Sequence, residues 1–316
     1  MTTISLCSGV GALDLAVEQV TGTHTTLYAE TDPYAARIMA ARFPNATNLG
    51  DITAIDWTRL AKQHPNIDTL IAGWPCQGIS HNGHRLGLDD PRSGIWRNVV
   101  QAIDAFRPER VFLENVAAIK TRGLDIVAGH FTRLGYDARW TYMTAAAAGA
   151  PHTRPRWFCH ATPGTGSALE VPAPTDTHPK RRLFPTPKAS DGPNGGPNQR
   201  DGAGNYYLPG IAVRLGEDWK APELGHDYGP AVRLWEEILG RATPSPTAPD
   251  ARGNLRLSPA FVDWLMGYPA GWVTDVPGIP RPQQIKRGGN GVVTLQAVAA
   301  YRHLEEHQPL LLPLTA

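Results

Sequence analysis

Three cysteines in 316 residues are too few for a disulfide scaffold, and Cys7, Cys76 and Cys159 lack the spacing of metal ligands. Such a chain suits a reducing, cytoplasmic compartment and gives no reason to expect a metal. A charge excess is missing as well, since Lys+Arg 30 against Asp+Glu 29 leaves a net +1. That balance argues against a histone-like or polybasic binder, but it leaves room for a local basic cleft on a near-neutral body. Long apolar runs are absent, so no membrane is expected as a partner. The chain opens at once on an extended run, Thr3-Ile4-Ser5-Leu6, with no stretch resembling a signal peptide. With 41% hydrophobic and 19% charged residues it reads as a soluble globular protein of one large or two ordinary domains.

Glycine and proline, by contrast, are plentiful at 32 and 29, and they are unevenly spread. Residues 1–160 alternate short apolar runs with amphipathic stretches, the pattern of a parallel α/β sheet. Strands are expected at 4–6, 25–29, 69–72, 111–113, 139–143 and 157–160. Asp32-Pro33 reads as an N-cap and first helical residue, opening a helix to about residue 43. Further helices are expected at 93–106 and at 124–134, the second closed by Gly135. Residues 161–255 then hold 14 of the 29 prolines and 13 of the 32 glycines. A disordered linker is the plain reading. Tyr206, Tyr207, Leu208, Ile211, Val213, Leu215, Trp235, Ile238 and Leu239 instead suggest a loop-rich second domain with a small core. Regular structure resumes at Ser258-Pro259 with a helix to about 266. A last helix over 293–304 follows the break Gly288-Gly289-Asn290-Gly291.

Several motifs fall where such a sheet would bind a ligand. Leu6-Cys7-Ser8-Gly9-Val10-Gly11 follows the first strand and enters a helix, so its paired glycines let backbone approach a ligand. Asp14 stands where a dinucleotide fingerprint wants a third glycine, which weakens a nicotinamide reading. Glu30 ends the second strand, where a carboxylate can accept ribose hydroxyls; a solvated strand end is as good an account. Asp51-Ile52 could offer an acceptor and an apolar face to adenine. Gly73-Trp74-Pro75-Cys76-Gln77 lies just past a strand, on the carboxyl edge of the sheet. A free cysteine is more often a small buried hydrophobe than a nucleophile, and only its place at that edge favours Cys76. Cys7 and Cys159, inside apolar runs, read as structural. Glu114 should project at the same edge and, partly desolvated, could carry a proton at neutral pH. Arg154 and Arg156, two apart in an extended run, should point the same way and hold anionic or carbonyl oxygens, although surface ion pairs are the commoner use.

Taken in order, these segments resemble the C5-cytosine-specific DNA methyltransferase family, of bacterial or phage type. The resemblance rests on residues 5–11, Glu30, 50–52, 72–80, 90–95, 113–116, 149–156, 257–259, 266–269 and 289–293, and it covers 1–160 and 255–305. It implies an α/β, Rossmann-like doubly wound sheet of the S-adenosylmethionine-dependent methyltransferase kind, with a smaller loop-rich target-recognition domain. On that basis residues 1–162 and 283–316 form the catalytic domain and 163–282 the recognition domain. The implied catalytic set is Cys76, Glu114, Arg154 and Arg156. The implied contacts to S-adenosyl-L-methionine are Cys7, Gly9, Val10, Gly11, Glu30, Thr31, Asp51, Ile52, Gly73, Pro75, Ile95, Asn290 and Val292. Gln77, Ser80 and Asn82 would meet double-stranded DNA. Cys7, Thr31 and His152 depart from the residues common in the family at those places.

The resemblance further implies methyl transfer to C5 of a flipped cytosine through a Cys76–C6 adduct, with no metal, by a monomer that could have a cognate restriction endonuclease. Arg85, Arg92, Arg97, Arg122, Arg154, Arg156 and basic residues of 161–255 would line one basic cleft between the two domains. A tRNA cytosine-5 methyltransferase is the main rival, disfavoured by the roughly 95 residues between the catalytic half and the Ser258 helix. Transfer of a group larger than methyl from a modified cofactor is another. An oxidoreductase leaves the Pro-Cys-Gln and Glu-Asn-Val segments unexplained, and a catalytically silent DNA-binding protein would not need the set of four.

Overall fold

The computed structural model of the chain describes residues 1–75, 94–174 and 181–307. Its first part alternates β1 (Thr2–Leu6), α1 (Ala12–Thr21), β2 (His24–Ala29), α2 (Pro33–Arg42), β3 (Thr47–Asn48), α3 (Trp57–Gln63) and β4 (Ile67–Ala72). Then come α4 (Gly94–Phe106), β5 (Arg110–Val116), α5 (Ile119–Arg122), α6 (Leu124–Leu134), β6 (Tyr136–Met143), β7 (Arg156–Pro163) and β8 (Ala168–Glu170). These eight strands form one sheet in the order β3-β2-β1-β4-β5-β7-β6-β8. β1 runs parallel to β2 and β4, and β4 parallel to β5. β7 is antiparallel to both of its neighbours, β5 and β6. Chain order therefore reverses between β1 and β4, and such a switch point opens a crevice at the carboxyl ends of those strands.

The central strands read as nearly continuous apolar runs because both faces are covered. Their side chains divide with the period of two expected of a strand. Ile71, Phe112 and Phe158 enter one core layer, while Leu70, Ala72, Leu113, Trp157 and Cys159 enter the other. Local signals place the helix ends as expected. Asp32 accepts from the N–H groups of Tyr34 and Ala35 at 3.1 and 3.0 Å, with Pro33 at the first helical position. Gly135, at φ 71°, closes α6.

The remaining elements are α7 (Leu208–Ala212), β9 (Lys220–Ala221), β10 (His226–Asp227), α8 (Gly229–Leu239), β11 (Thr247–Pro249), β12 (Leu255–Leu257), α9 (Pro259–Leu265), α10 (Arg281–Asn290) and α11 (Thr294–Glu306). The Pro/Gly-rich part does not build a small core of its own. Leu208, Ile211 and Trp235 join one cluster with α1, α9 and α11, while Ile238 stays 38% exposed. Trp272, between α9 and α10, ties the later part of the chain to the loop before α1 by donating its indole N–H to the Val10 carbonyl at 2.8 Å. The glycines at 288 and 289 are not a break before the last helix. They lie in the final turn of α10 because neighbours press on them: a Cβ at Gly288 would sit 2.9 Å from Val262 Cγ1, and one at Gly289 would sit 2.5 Å from the Lys188 carbonyl carbon. Glycine here serves close approach rather than flexibility.

Candidate active site

The crevice at the switch point holds a cavity of about 820 Å³, within the range of sites that take a cofactor-sized ligand. It gathers Cys7, Gly9, Val10, Glu30, Thr31, Asp51, Ile52, Gly73, Pro75, Ile95, Glu114, Arg156, Asn290 and Val292 from eight separate stretches of chain. Cys76, Gln77, Ser80 and Asn82 lie outside the described residues. The chain reaches that segment from the cavity wall, for Asn115 Nδ2 donates to the Trp74 carbonyl at 3.0 Å and pins the ends of β4 and β5 together just before Pro75.

The loop after β1 turns through positive φ at Cys7 (56°) and Gly9 (57°). Cys7 is therefore the first turn residue after β1, half-buried against the cavity. Burial first, then the nearby Glu30 and Asp51 carboxylates, pushes its thiol up to about 12, so it stays protonated. Burial likewise raises the thiol of Cys159 inside β7. Glu30 Oε2 accepts the Gly9 N–H and Oε1 the Asp32 N–H, both at 2.8 Å. The loop and the end of β2 are thus locked to each other, and each carboxylate oxygen keeps a lone pair for a ligand hydroxyl. A Cβ at Gly9 would meet nothing within 4 Å, which leaves the backbone there open to a ligand. Gly11 plays a different part. It caps α1 at φ 76°, and a Cβ on it would lie 2.5 Å from Phe43 Cε2 and 2.7 Å from Met39 Sδ. Asp51 Oδ1 accepts the Thr53 N–H at 2.8 Å, and Ile52 presents a buried apolar face beside it.

Glu114 and Arg156 meet at the cavity wall, Oε1 to Nε 2.9 Å, each side chain 16% exposed. Burial raises the Glu114 carboxyl pKa, while the Arg156 and Arg154 charges and the Arg156 hydrogen bond pull it down, with burial the larger influence. The two arginines do not point the same way. Arg154 adopts φ 29°, which breaks the strand period before β7 begins. Its guanidinium is buried and donates to the carbonyls of Pro187 at 3.1 Å, Gly289 at 3.1 Å and Gly291. It therefore clamps the segment bearing Asn290 rather than facing the cavity. His152, two residues earlier, is fully buried with Nε2 at 3.0 Å from the Leu265 carbonyl. Burial lowers its pKa to about 3, and the ring is neutral.

Three further charged residues among those described line the cavity without having been marked in the sequence as site residues. Asp14 in the first turn of α1 is fully buried, and its Oδ2 has no partner. Asp32 and Arg287 form an ion pair at 2.8 Å across the cavity from α2 to α10. Nothing local singles out Arg287, because the pairing spans 255 positions. The expected basic cleft is not borne out as one surface: Arg154 is buried, and Arg97 lies in a separate groove between α4 and α6 with Arg133. Arg85 and Arg92 lie outside the described residues, as does the side chain of Arg122. Among the described residues no helix is long and apolar enough to cross a membrane, and no cluster of His, Cys, Asp or Glu could hold a metal ion.

A switch-point cavity with a glycine loop, a strand-end acid and a buried carboxyl–guanidinium pair defines a Rossmann-like, S-adenosylmethionine-dependent methyltransferase. The family model for C-5 cytosine-specific DNA methylase matches residues 1–207, and the chain belongs to that family. It is 27% identical over 322 residues to the Type II methyltransferase M.NgoBI of Neisseria gonorrhoeae, covering 96% of this chain and 92% of the relative. A Type II methyltransferase of Bacillus subtilis (strain 168) is 25% identical, with 86% and 66% covered. M.CviJI of Paramecium bursaria Chlorella virus IL3A is 29% identical over 50% of this chain, which spans only 42% of that relative. Solved structures share the fold at low identity. A DNMT2 variant from Spodoptera frugiperda matches with TM-score 0.61, 17% identity and 96% and 99% coverage. A DNA modification methyltransferase from an E. coli prophage matches with TM-score 0.58, 19% identity and 97% and 99% coverage.

Proposed function

We propose that this chain transfers a methyl group from S-adenosyl-L-methionine to C5 of a flipped cytosine in double-stranded DNA. The observation that carries the reading is the Glu114–Arg156 pair opening into the same cavity as the Gly9 loop and Glu30. The residues present fit the cofactor. Glu30 offers free lone pairs for ribose, Asp51 and Ile52 an acceptor and an apolar face for adenine, and Gly9 an open backbone. When bound, S-adenosyl-L-methionine supplies an electrophilic methyl group. Thr31, Gly73, Pro75, Ile95, Asn290 and Val292 complete its walls.

The chain's own residues deal with the reluctance of C5 to act as a nucleophile. The Cys76 thiolate bonds to C6, and Glu114 gives its proton to N3, so that C5 becomes an enamine carbon. Arg156 polarises the O2 side of the ring and holds Glu114 in place. C5 would then take the methyl group that the bound cofactor supplies; loss of the C5 proton to solvent expels the Cys76 thiolate, and return of the N3 proton to Glu114 leaves a neutral aromatic ring. Cys7 and Cys159 are held as buried thiols, which supports Cys76 as the nucleophile. Arg154 acts by holding the Asn290 segment. Since C5 and C6 are out of reach within a stacked duplex, the base leaves the helix, with Gln77, Ser80 and Asn82 against the DNA. Residues 163–282 select the site, and the protein works as a cytoplasmic monomer; the Type II names of its relatives support a cognate restriction endonuclease as partner.

Duplexes carrying 5-fluorocytosine at the target provide the test, because fluorine cannot leave C5 as a proton does. The wild-type protein should become covalently attached when the cofactor is present, and Cys76→Ser should not. Methylation by Cys76→Ser at a rate near wild type would refute the mechanism.

A further inference from the structure

We propose that Arg287 is the receptor for the amino-acid carboxylate of the cofactor, an inference that rests on the S-adenosyl-L-methionine reading above. Among the described residues, five carboxylate side chains line the cavity, those of Asp14, Glu30, Asp32, Asp51 and Glu114, against two guanidinium groups, Arg156 and Arg287. A ligand carboxylate entering that setting would be repelled unless a cation met it, and repulsion grows as water is excluded. Arg156 is engaged by Glu114 at 2.9 Å. Among the described residues Arg287 is the other cation. One nitrogen, Nη2, serves both of its protein partners, Asp32 Oδ2 at 2.8 Å and Gln283 Oε1 at 3.1 Å. The planar guanidinium carries five N–H groups, so donors remain for a ligand. Asp32 holds the group through Oδ2 while its own Oδ1 caps α2. Arg287 also precedes Asn290 by three positions on α10, which puts both on one helix face. The Arg154 clamp on Gly289 and Gly291 fixes that face against the sheet, so the guanidinium is held ready before a ligand arrives.

Calorimetric titration with two probes tests this: S-adenosylhomocysteine, which carries the carboxylate, and 5′-methylthioadenosine, which lacks the amino-acid part. Wild type should bind both. Arg287→Gln should weaken S-adenosylhomocysteine about tenfold or more, as loss of a charged hydrogen bond implies, and leave methylthioadenosine within about twofold by the same measure. Arg287→Lys, which keeps the charge but not the fork, should fall between and serves if the Gln variant does not fold. If Arg287→Gln weakened both probes alike, the ion pair would be only a structural latch and the proposal would fall. A wild-type protein that bound neither probe would instead overturn the cofactor reading itself, and the proposal with it.

Discussion

Glu114 Oε1 stands 2.9 Å from Arg156 Nε where β5 and the start of β7 lie side by side. Burial lifts the carboxyl, and Arg156 is the leading influence against it. In the proposed reaction Glu114 works as a proton donor, so the rate should fall as pH rises past its raised pKa. Arg156→Gln removes a lowering influence and should carry that alkaline fall to higher pH. It should also reduce kcat by about a hundredfold, the usual size of a lost electrostatic contact at a reacting centre. A pH–rate profile of the variant checks both, and an alkaline limb that stayed in place would contradict the pairing.

Arg154 should affect stability more than its neighbour. Arg154→Ala leaves the carbonyls of Pro187, Gly289 and Gly291 without their donor. Each unmet buried group costs about 1–3 kcal/mol, so a loss of at least about 3 kcal/mol is expected. Urea denaturation of Arg154→Ala beside Arg156→Ala measures it. Equal losses would show that the clamp carries no special weight.

Asp14 predicts a pH-dependent stability. Burial raises its carboxyl from 3.8 to about 6, against hydrogen bonds from Ser5 and Thr25. The folded protein thus keeps this proton to higher pH than the unfolded chain does. Stability falls as pH rises from about 4 to 6, and the full penalty, about 3 kcal/mol, persists above that window. Asp14→Asn should therefore raise the denaturation midpoint at pH 8 and bring little gain at pH 4. A gain of equal size at both pH values would remove titration as the cause.

The two glycines of the first loop should separate binding from folding. Gly11→Ala drives a methyl group into Phe43 and Met39 and should destabilise by about 1–3 kcal/mol, as overpacking does. Gly9→Ala meets no protein atom within 4 Å. It should cost about 1–2 kcal/mol from its left-handed backbone while weakening S-adenosylhomocysteine by a larger factor than Gly11→Ala does. Parallel thermal unfolding and binding measurements decide, and the reverse order would exchange the two roles.

Much of the fold was legible because its signals are local. The apolar runs of β1, β2, β4 and β5, the Asp32-Pro33 start of α2 and the Gly135 stop of α6 depend on nearby residues. The cavity-lining residues Glu30, Asp51 and Glu114 were legible for a related reason: the carboxyl ends of parallel strands share one edge, so counting to a strand end locates the site. The short helix α3 escaped notice, having too few residues for a period to show.

By itself the sequence determined the alternating α/β order, the place of the ligand edge and the order of motifs that mark the family. Tertiary structure alone decided that Arg154 turns inward while Arg156 turns to Glu114, because a positive φ at Arg154 overrides strand alternation. It also decided that Gly288 and Gly289 are helical, that the Pro/Gly-rich part shares the main core, and that Arg287 faces Asp32 across the cavity. Each of these depends on which atoms from distant parts of the chain come within a few ångströms. Local spacing carries no record of that, whereas close packing settles it through contact and charge.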